Sequence, residues 1–362
     1  MSAVGITLPV LLKGKIMNNM LDRMSIQYPS IFLKSKYDEK IDFVKGLCIL
    51  FVILNHCIDD LQGILFPLWG SPAVSIFLLI QVFHVYKKER IEEVHWKSIF
   101  FKSIFKRVLK PFLFVQFLLF FIWLTCYNEP FVQLLKLFLY NGGKGPGSYY
   151  IWIYIQFCLC LPLLAPILNK MSHLCRLVFF IAVSQLLEIF MCVVNVPPYI
   201  YQLLSFRYLF LIYLGYELCV QPFVLSVKTV LLSVLSLLAL IFFSYSNLSV
   251  SPLFYNHPHH TICHWPCYYY VSVLLLFLYV NMYQYFARHA RRIKNLFCFL
   301  GKESFNVFLA QMFLFSVLDI FPMRPWIVSI TNEQLGGLLY VAICVIMSIS
   351  PVCLLLFYKS KS

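Results

Sequence analysis

Apolar residues run along this chain in blocks near 20 residues long, parted by short polar or basic loops. That spacing predicts helices able to cross a bilayer. The blocks fall at about residues 43–61, 65–86, 108–127, 149–168, 174–194, 205–221, 226–247, 267–287, 303–321 and 336–357. They predict an all-α fold: a polytopic transmembrane helix bundle of ten spans over residues 41–358. Residues 1–40 are mixed and basic with weak periodicity, and read as a disordered cytoplasmic segment. Four methionines fall there, and Met24 opens a compact polar lead into the first block, so the natural start is expected later than Met1. The first block is long and has no small-residue exit, so no cleavable signal peptide is expected.

Charge then orients the bundle. Of the 29 Lys and Arg, all but Lys136, Lys144, Arg207 and Arg324 lie in alternate segments, which the positive-inside rule assigns to the cytoplasm together with both termini. The net charge of +14 does not describe a nucleic-acid groove, because the basic residues sit in short loops that meet membrane lipids. With 61% hydrophobic and 12% charged residues, the chain is too apolar for a soluble domain. The 13 cysteines are scattered through apolar blocks without a C-x-x-C pair, and read as small core residues rather than a disulfide frame. The segment His257–Cys267 holds four His and two Cys in eleven residues. Its spacing fits no closed zinc pattern, and no metal is expected.

The stretch Ile41–Asp60 carries the most suggestive chemistry. Lys45 and His56 are eleven positions apart, which on a helix leaves them about 20° from eclipse over about 16 Å. They share a face, as a two-point site inside a membrane-crossing element. The alternative is a cytoplasmic anchor and an interfacial histidine. The basic loop ends in Lys106, Arg107 and Lys110, with Lys106 and Lys110 on one helical face. It reads either as an anchor on anionic lipid or as a phosphate clamp.

Glu188 is the carboxylate deepest in a block, and so is a candidate by default. The glycine-rich segment Asn141–Trp152 lacks the Lys-Ser/Thr pair of a phosphate loop. Its Tyr149, Tyr150 and Trp152, with Tyr154 beyond, form an aromatic belt or a sugar platform.

Several of these segments resemble the membrane acyltransferase family 3, bacterial integral-membrane O-acyltransferases that modify cell-surface glycans. Asp42-Phe-Val-Lys-Gly followed by Leu54-Asn-His56 resembles the family's first-helix signature of a basic residue, ten intervening residues and a histidine. Ala73–Phe83, the Lys106-Arg107-x-x-Lys110-Pro111 motif, Phe206–Tyr216 and Gly301–Gln311 are similar to further family segments, in order, over about residues 38–357. Two positions depart from the pattern. Lys45 stands where arginine is usual, and lacks its planar fork. Gln311 stands where many relatives carry histidine, and is given no acid–base role.

The resemblance implies transfer of an acyl group, commonly acetyl, from a cytoplasmic acyl-coenzyme A to a hydroxyl of a surface or lipid-linked glycan. It also implies a multi-pass protein of the bacterial cytoplasmic (inner) membrane. On that reading His56 is general base or transient acyl acceptor, with Asp60 or Asp59 orienting its ring. Lys45 and Arg207 stabilise negative charge on the donor or the oxyanion, and Lys106, Arg107 and Lys110 hold coenzyme A phosphates. Glu188, Tyr149 and Trp152 join Arg207 as substrate-binding candidates. Two other readings use the same buried groups: a transporter or flippase of a lipid-linked glycan, and a non-catalytic family member that scaffolds glycan synthesis.

Overall fold

The computed structural model describes residues 38–57, 71–88, 104–127, 130–220, 227–245, 266–318 and 323–361. Among these residues the chain is helical, with no strand. The first half comprises α1 (Glu39–Cys57), α2 (Ser71–Lys88), α3 (Lys110–Tyr127, entered through a π-turn, Phe105–Leu109), α4 (Phe131–Asn141), α5 (Tyr149–Lys170), α6 (His173–Val193) and α7 (Pro198–Leu203). The second comprises α8 (Leu209–Val220, entered through a 3-10 turn, Ser205–Tyr208), α9 (Val227–Tyr245), α10 (Pro266–His289), α11 (Arg291–Lys302), α12 (Ser304–Leu318), α13 (Met323–Ile330) and α14 (Glu333–Lys361).

Among the described residues, five helices, or six with one bent pair, are long and apolar enough to span a membrane, against the ten apolar blocks of the sequence. Phe105–Cys126, Tyr149–Lys170, His173–Met191, Tyr269–His289 and Glu333–Leu355 are each long and apolar enough, and α12 with α13 makes a sixth as a pair bent by 71°. Helix α1 is excluded by its charges, since Glu39, Lys40, Asp42 and Lys45 crowd its first seven residues. Helix α8 has only 12 residues, and the described apolar part of α2 is Pro72–Tyr86. The short and charged helices are the ones that build the site described below. A polar site takes up helix length that would otherwise be apolar.

Helix α1 is the shared wall of two apolar clusters. Phe43, Val44, Leu47 and Cys48 pack into one, with Leu79 of α2, Phe157 of α5, Phe210 of α8 and Tyr269 of α10. Ile49, Ile53 and Cys57 turn to the other, with Phe112 of α3, Met312 of α12 and Cys344 of α14.

The pattern of apolar blocks passes over α11. Its sequence, Arg-Arg-Ile-Lys-Asn-Leu-Phe-Cys-Phe-Leu-Gly-Lys, is amphipathic and too polar to span. It buries Cys298, Leu300 and Gly301 and leaves Arg291 and Arg292 exposed. It lies directly on α1: Gly46 abuts the backbone of Phe297, and Gly301 abuts the backbone of Asp42. Glycine lets the two backbones meet because it has no side chain to hold them apart. Lys294 of α11 bonds Glu39 of α1 at 2.8 Å, and this hydrogen bond holds the Glu39 carboxyl below its ordinary range.

Candidate active site

Lys45, Ile49, Val52 and His56 recur every three or four residues on α1, so they form one stripe. That stripe is a wall of a cavity of about 610 Å³. The structure therefore brings Lys45 and His56 to one space. Gln81 and His84 of α2 line the opposite side, with Arg107 of the π-turn and Tyr149, Tyr150 and Tyr154 at the start of α5. Arg207 and Tyr208 of the 3-10 turn, and Lys302 and Ser304 where α11 passes into α12, complete the lining. None of the described residues that line it is Asp or Glu, so the cavity is built for anions.

The cavity has two chemically different ends. Lys45 and Lys302 lie near the start of α1, since Gly301 abuts Asp42, and with Arg107 they form a basic mouth. Arg207 lies towards the end of α1 with His56: α10 runs antiparallel to α1, with Phe43 against Tyr283 and Phe51 against Tyr279, and Tyr269, ten residues before Tyr279, bonds the Arg207 carbonyl. Tyr149 faces Arg207, whereas Arg107 acts on Tyr154, more than a helical turn further along α5. About 16 Å of helix separates Lys45 from His56. The pair therefore brackets a long ligand rather than a single reacting atom.

Lys45 has a partner that spacing did not bring forward. Its Nζ bonds Asp42 Oδ1 at 2.7 Å, one helical turn back. Asp42 is 5% exposed, and its Oδ2 has no hydrogen-bond partner among the described residues. Removing the lysine would strand a buried carboxylate, which costs about 3 kcal/mol. We therefore expect Lys45→Ala to lower the unfolding midpoint of the detergent-solubilised protein, and Asp42→Asn/Lys45→Ala to recover most of that loss without recovering activity. Equal midpoints for the two variants would show that the pair adds no stability.

The basic motif behaves differently from its expected helical geometry. The N–H of Lys110 bonds the carbonyl of Phe105, the wider i→i+5 pattern of a π-turn. The extra residue breaks the alignment of Lys106 with Lys110. All three are exposed, but Arg107 also lines the cavity, whereas Lys106 and Lys110 do not. The three-residue clamp thus reduces to one arginine, joined by Lys302 and Lys45. Lys302 was hard to recognise because it lies at a helix junction far along the chain.

Trp152 is not part of the cavity wall either. Its Nε1 donates to the carbonyl of Gly142 at 2.7 Å, and its ring packs edge-on against Phe112 and Phe138. It pins the glycine-rich loop. Gly142, Gly143, Gly145 and Gly147 all have positive φ, which side chains disfavour. The loop is held by Gln116, which accepts from the Lys144 N–H at 2.7 Å and donates to its carbonyl at 2.9 Å. Tight folding here delivers Tyr149, Tyr150 and Tyr154 to the cavity, so these three line a binding space rather than a lipid belt.

Glu188 also stands off the cavity. It is buried, and both its oxygens accept from the Tyr201 hydroxyl at 2.8 Å. Tyr201 in turn lies beside Arg207, with ring and guanidinium 6.0 Å apart. Gln311 is fully buried outside the cavity, with both ends of its carboxamide unbonded among the described residues. Asp59 and Asp60, the expected partners of His56, lie outside the described residues, as does the histidine-rich stretch up to Trp265. The His56 ring lies 6.0 Å from that of Phe315.

Apolar helices around a cavity whose charged lining, among the described residues, is cationic define a membrane protein with an internal polar site. Residues 38–357 match the acyltransferase domain of acyltransferase family 3, and the chain belongs to that family. It is a membrane acyltransferase. No curated protein and no solved structure matches it.

Proposed function

We propose that the protein moves an acyl group, in the simplest case acetyl, from a cytoplasmic acyl-coenzyme A to a hydroxyl of a surface or lipid-linked glycan. The observation that carries this reading is the single cavity that joins Lys45, Arg107 and Lys302 at one end to His56 and Arg207 at the other. A phosphate-bearing donor enters at the basic mouth, where Lys45, Arg107 and Lys302 line the cavity and can meet its charges. Its thioester arm runs along the α1 stripe, past the apolar Ile49 and Val52, and brings the carbonyl to His56.

As general base, His56 takes the proton from the acceptor hydroxyl while that oxygen attacks the carbonyl. The carbon–sulfur bond breaks, the thiolate leaves, and the imidazolium returns the proton to sulfur. As acyl carrier, the imidazole nitrogen attacks the carbonyl and expels the thiolate. The acceptor oxygen then attacks the acyl-imidazole, the carbon–nitrogen bond breaks, and the hydroxyl proton passes to the thiolate. In both routes Arg207 stands at the His56 end to stabilise charge, whereas Lys45 serves the donor end. The ten-span topology with both termini cytoplasmic in the bacterial inner membrane fits this arrangement, because basic residues of α11 gather where α1 begins: Lys294 bonds Glu39, and Gly301, next to Lys302, abuts Asp42.

The test uses acyl-labelled coenzyme A and membranes that contain the protein. Label is expected in the glycan fraction, with release of free coenzyme A in equal amount. A transporter of the same glycan would leave the product unlabelled, and that result would end the enzymatic reading of donor and acceptor.

A further inference from the structure

Arg207 is 3% exposed, yet its Nε and Nη2 donate to nothing among the described residues while its side chain lines the cavity. A buried cation in that state is costly unless a ligand completes it. Three rings surround the guanidinium carbon, Tyr208 at 4.8 Å, Tyr149 at 5.2 Å and Tyr201 at 6.0 Å. Ring faces attract the charge but accept no N–H in the plane of the fork. Glu188, the carboxylate of this region, is engaged by Tyr201, and no ion pair joins it to Arg207 among the described residues. The backbone is fixed too, because the buried Tyr269 hydroxyl donates to the Arg207 carbonyl. The fork is thus desolvated, lines the cavity and keeps two nitrogens unbonded among the described residues, as recognition of a carboxylate or phosphate requires.

We infer that Arg207 is a second anion subsite, so that one of the two reactants carries a carboxylate or phosphate at the end remote from the coenzyme A phosphates. This rests on the proposed function and narrows its substrate class. Phosphates held at the mouth do not also reach Arg207, because the two ends lie about 16 Å apart along α1. The anion has two chemical sources. Either the acyl group is a half-ester of a dicarboxylic acid and ends in a free carboxylate, or the acceptor sugar is itself anionic.

The subsite is tested without chemistry, by the shift in unfolding midpoint that succinate causes in the full chain in lipid nanodiscs, with saturating coenzyme A present to occupy the mouth. Wild type is expected to show saturable stabilisation. Arg207→Gln should weaken it about 30-fold or more. Arg207→Lys should restore part of it, since lysine keeps the charge without the fork, and Arg107→Gln should leave succinate binding unchanged. No saturable effect in wild type, or an undiminished one in folded Arg207→Gln, would overturn the inference.

Two further arms identify the source. Faster thioester hydrolysis of succinyl- than acetyl-coenzyme A, lost in Arg207→Gln, assigns the anion to the acyl group. A preference for glucose 6-phosphate over glucose as acceptor, lost in the same variant, assigns it to the acceptor. Wild type that binds succinate saturably but transfers label from neither thioester to the glycan fraction would remove the acyl-coenzyme A reading while the subsite stands.

Discussion

His56→Ala is expected to lower acyl transfer roughly 10²–10⁴-fold, the contribution of a positioned proton-transfer group. The fold should survive the change. His56 lies at the cavity end of the α1 stripe rather than in either apolar cluster, and its ring hydrogen-bonds to nothing among the described residues. The unfolding midpoint should therefore stay near that of wild type, and the loss should appear in kcat more than in KM. Near wild-type transfer by the purified variant would remove His56 from the mechanism.

The two routes separate in the same preparation. Wild-type protein given labelled donor and no acceptor becomes covalently labelled if the imidazole carries the acyl group. It stays unlabelled if His56 acts only as base.

The largest effect on stability is expected from Gly301→Ala. A methyl group there would overlap the backbone carbonyl of Asp42, and one at Gly46 would overlap that of Phe297. Neither obstacle is a side chain that could rotate aside. The two helices must move apart, at a cost of about 3 kcal/mol or more. The separation would also shift Asp42, and with it the lysine it holds at the cavity mouth. Thermal unfolding in detergent should show a clear drop for Gly301→Ala, with activity falling in parallel. Gly337→Ala on α14 is the control, because its added methyl meets nothing within 4 Å. There the better helix former should leave the midpoint equal or slightly higher. Equal behaviour of the two variants would mean that the α1–α11 contact is looser than the structure has it.

Much of the site was legible because helical periodicity acts on neighbours in sequence. The eleven-residue interval between Lys45 and His56 requires a shared face whatever surrounds them, and both line the cavity. Tyr149 and Arg207 were recognisable as polar or aromatic residues at the starts of apolar blocks. Three placements off the cavity arise only in three dimensions. Lys106 and Lys110 part company because a π-turn shifts the helical register. Trp152 is spent on bonding Gly142, and Glu188 on bonding Tyr201.

Residue type and spacing along the chain determined the class of this protein and its helical elements, while its motifs carry the resemblance to its family. The class and the elements follow from local chemistry: apolar length, charge in the loops and a repeat close to 3.6 residues. Only the tertiary structure decided which distant groups meet. Arg107, Arg207 and Lys302 come from three separate segments, and nothing in their spacing couples them. What does so is packing about α1, where Gly46 and Gly301 let α11 lie against its backbone while its other faces enter two apolar clusters. A stripe on one helix can be read from sequence, but the walls that face it depend on how the remaining helices close around it.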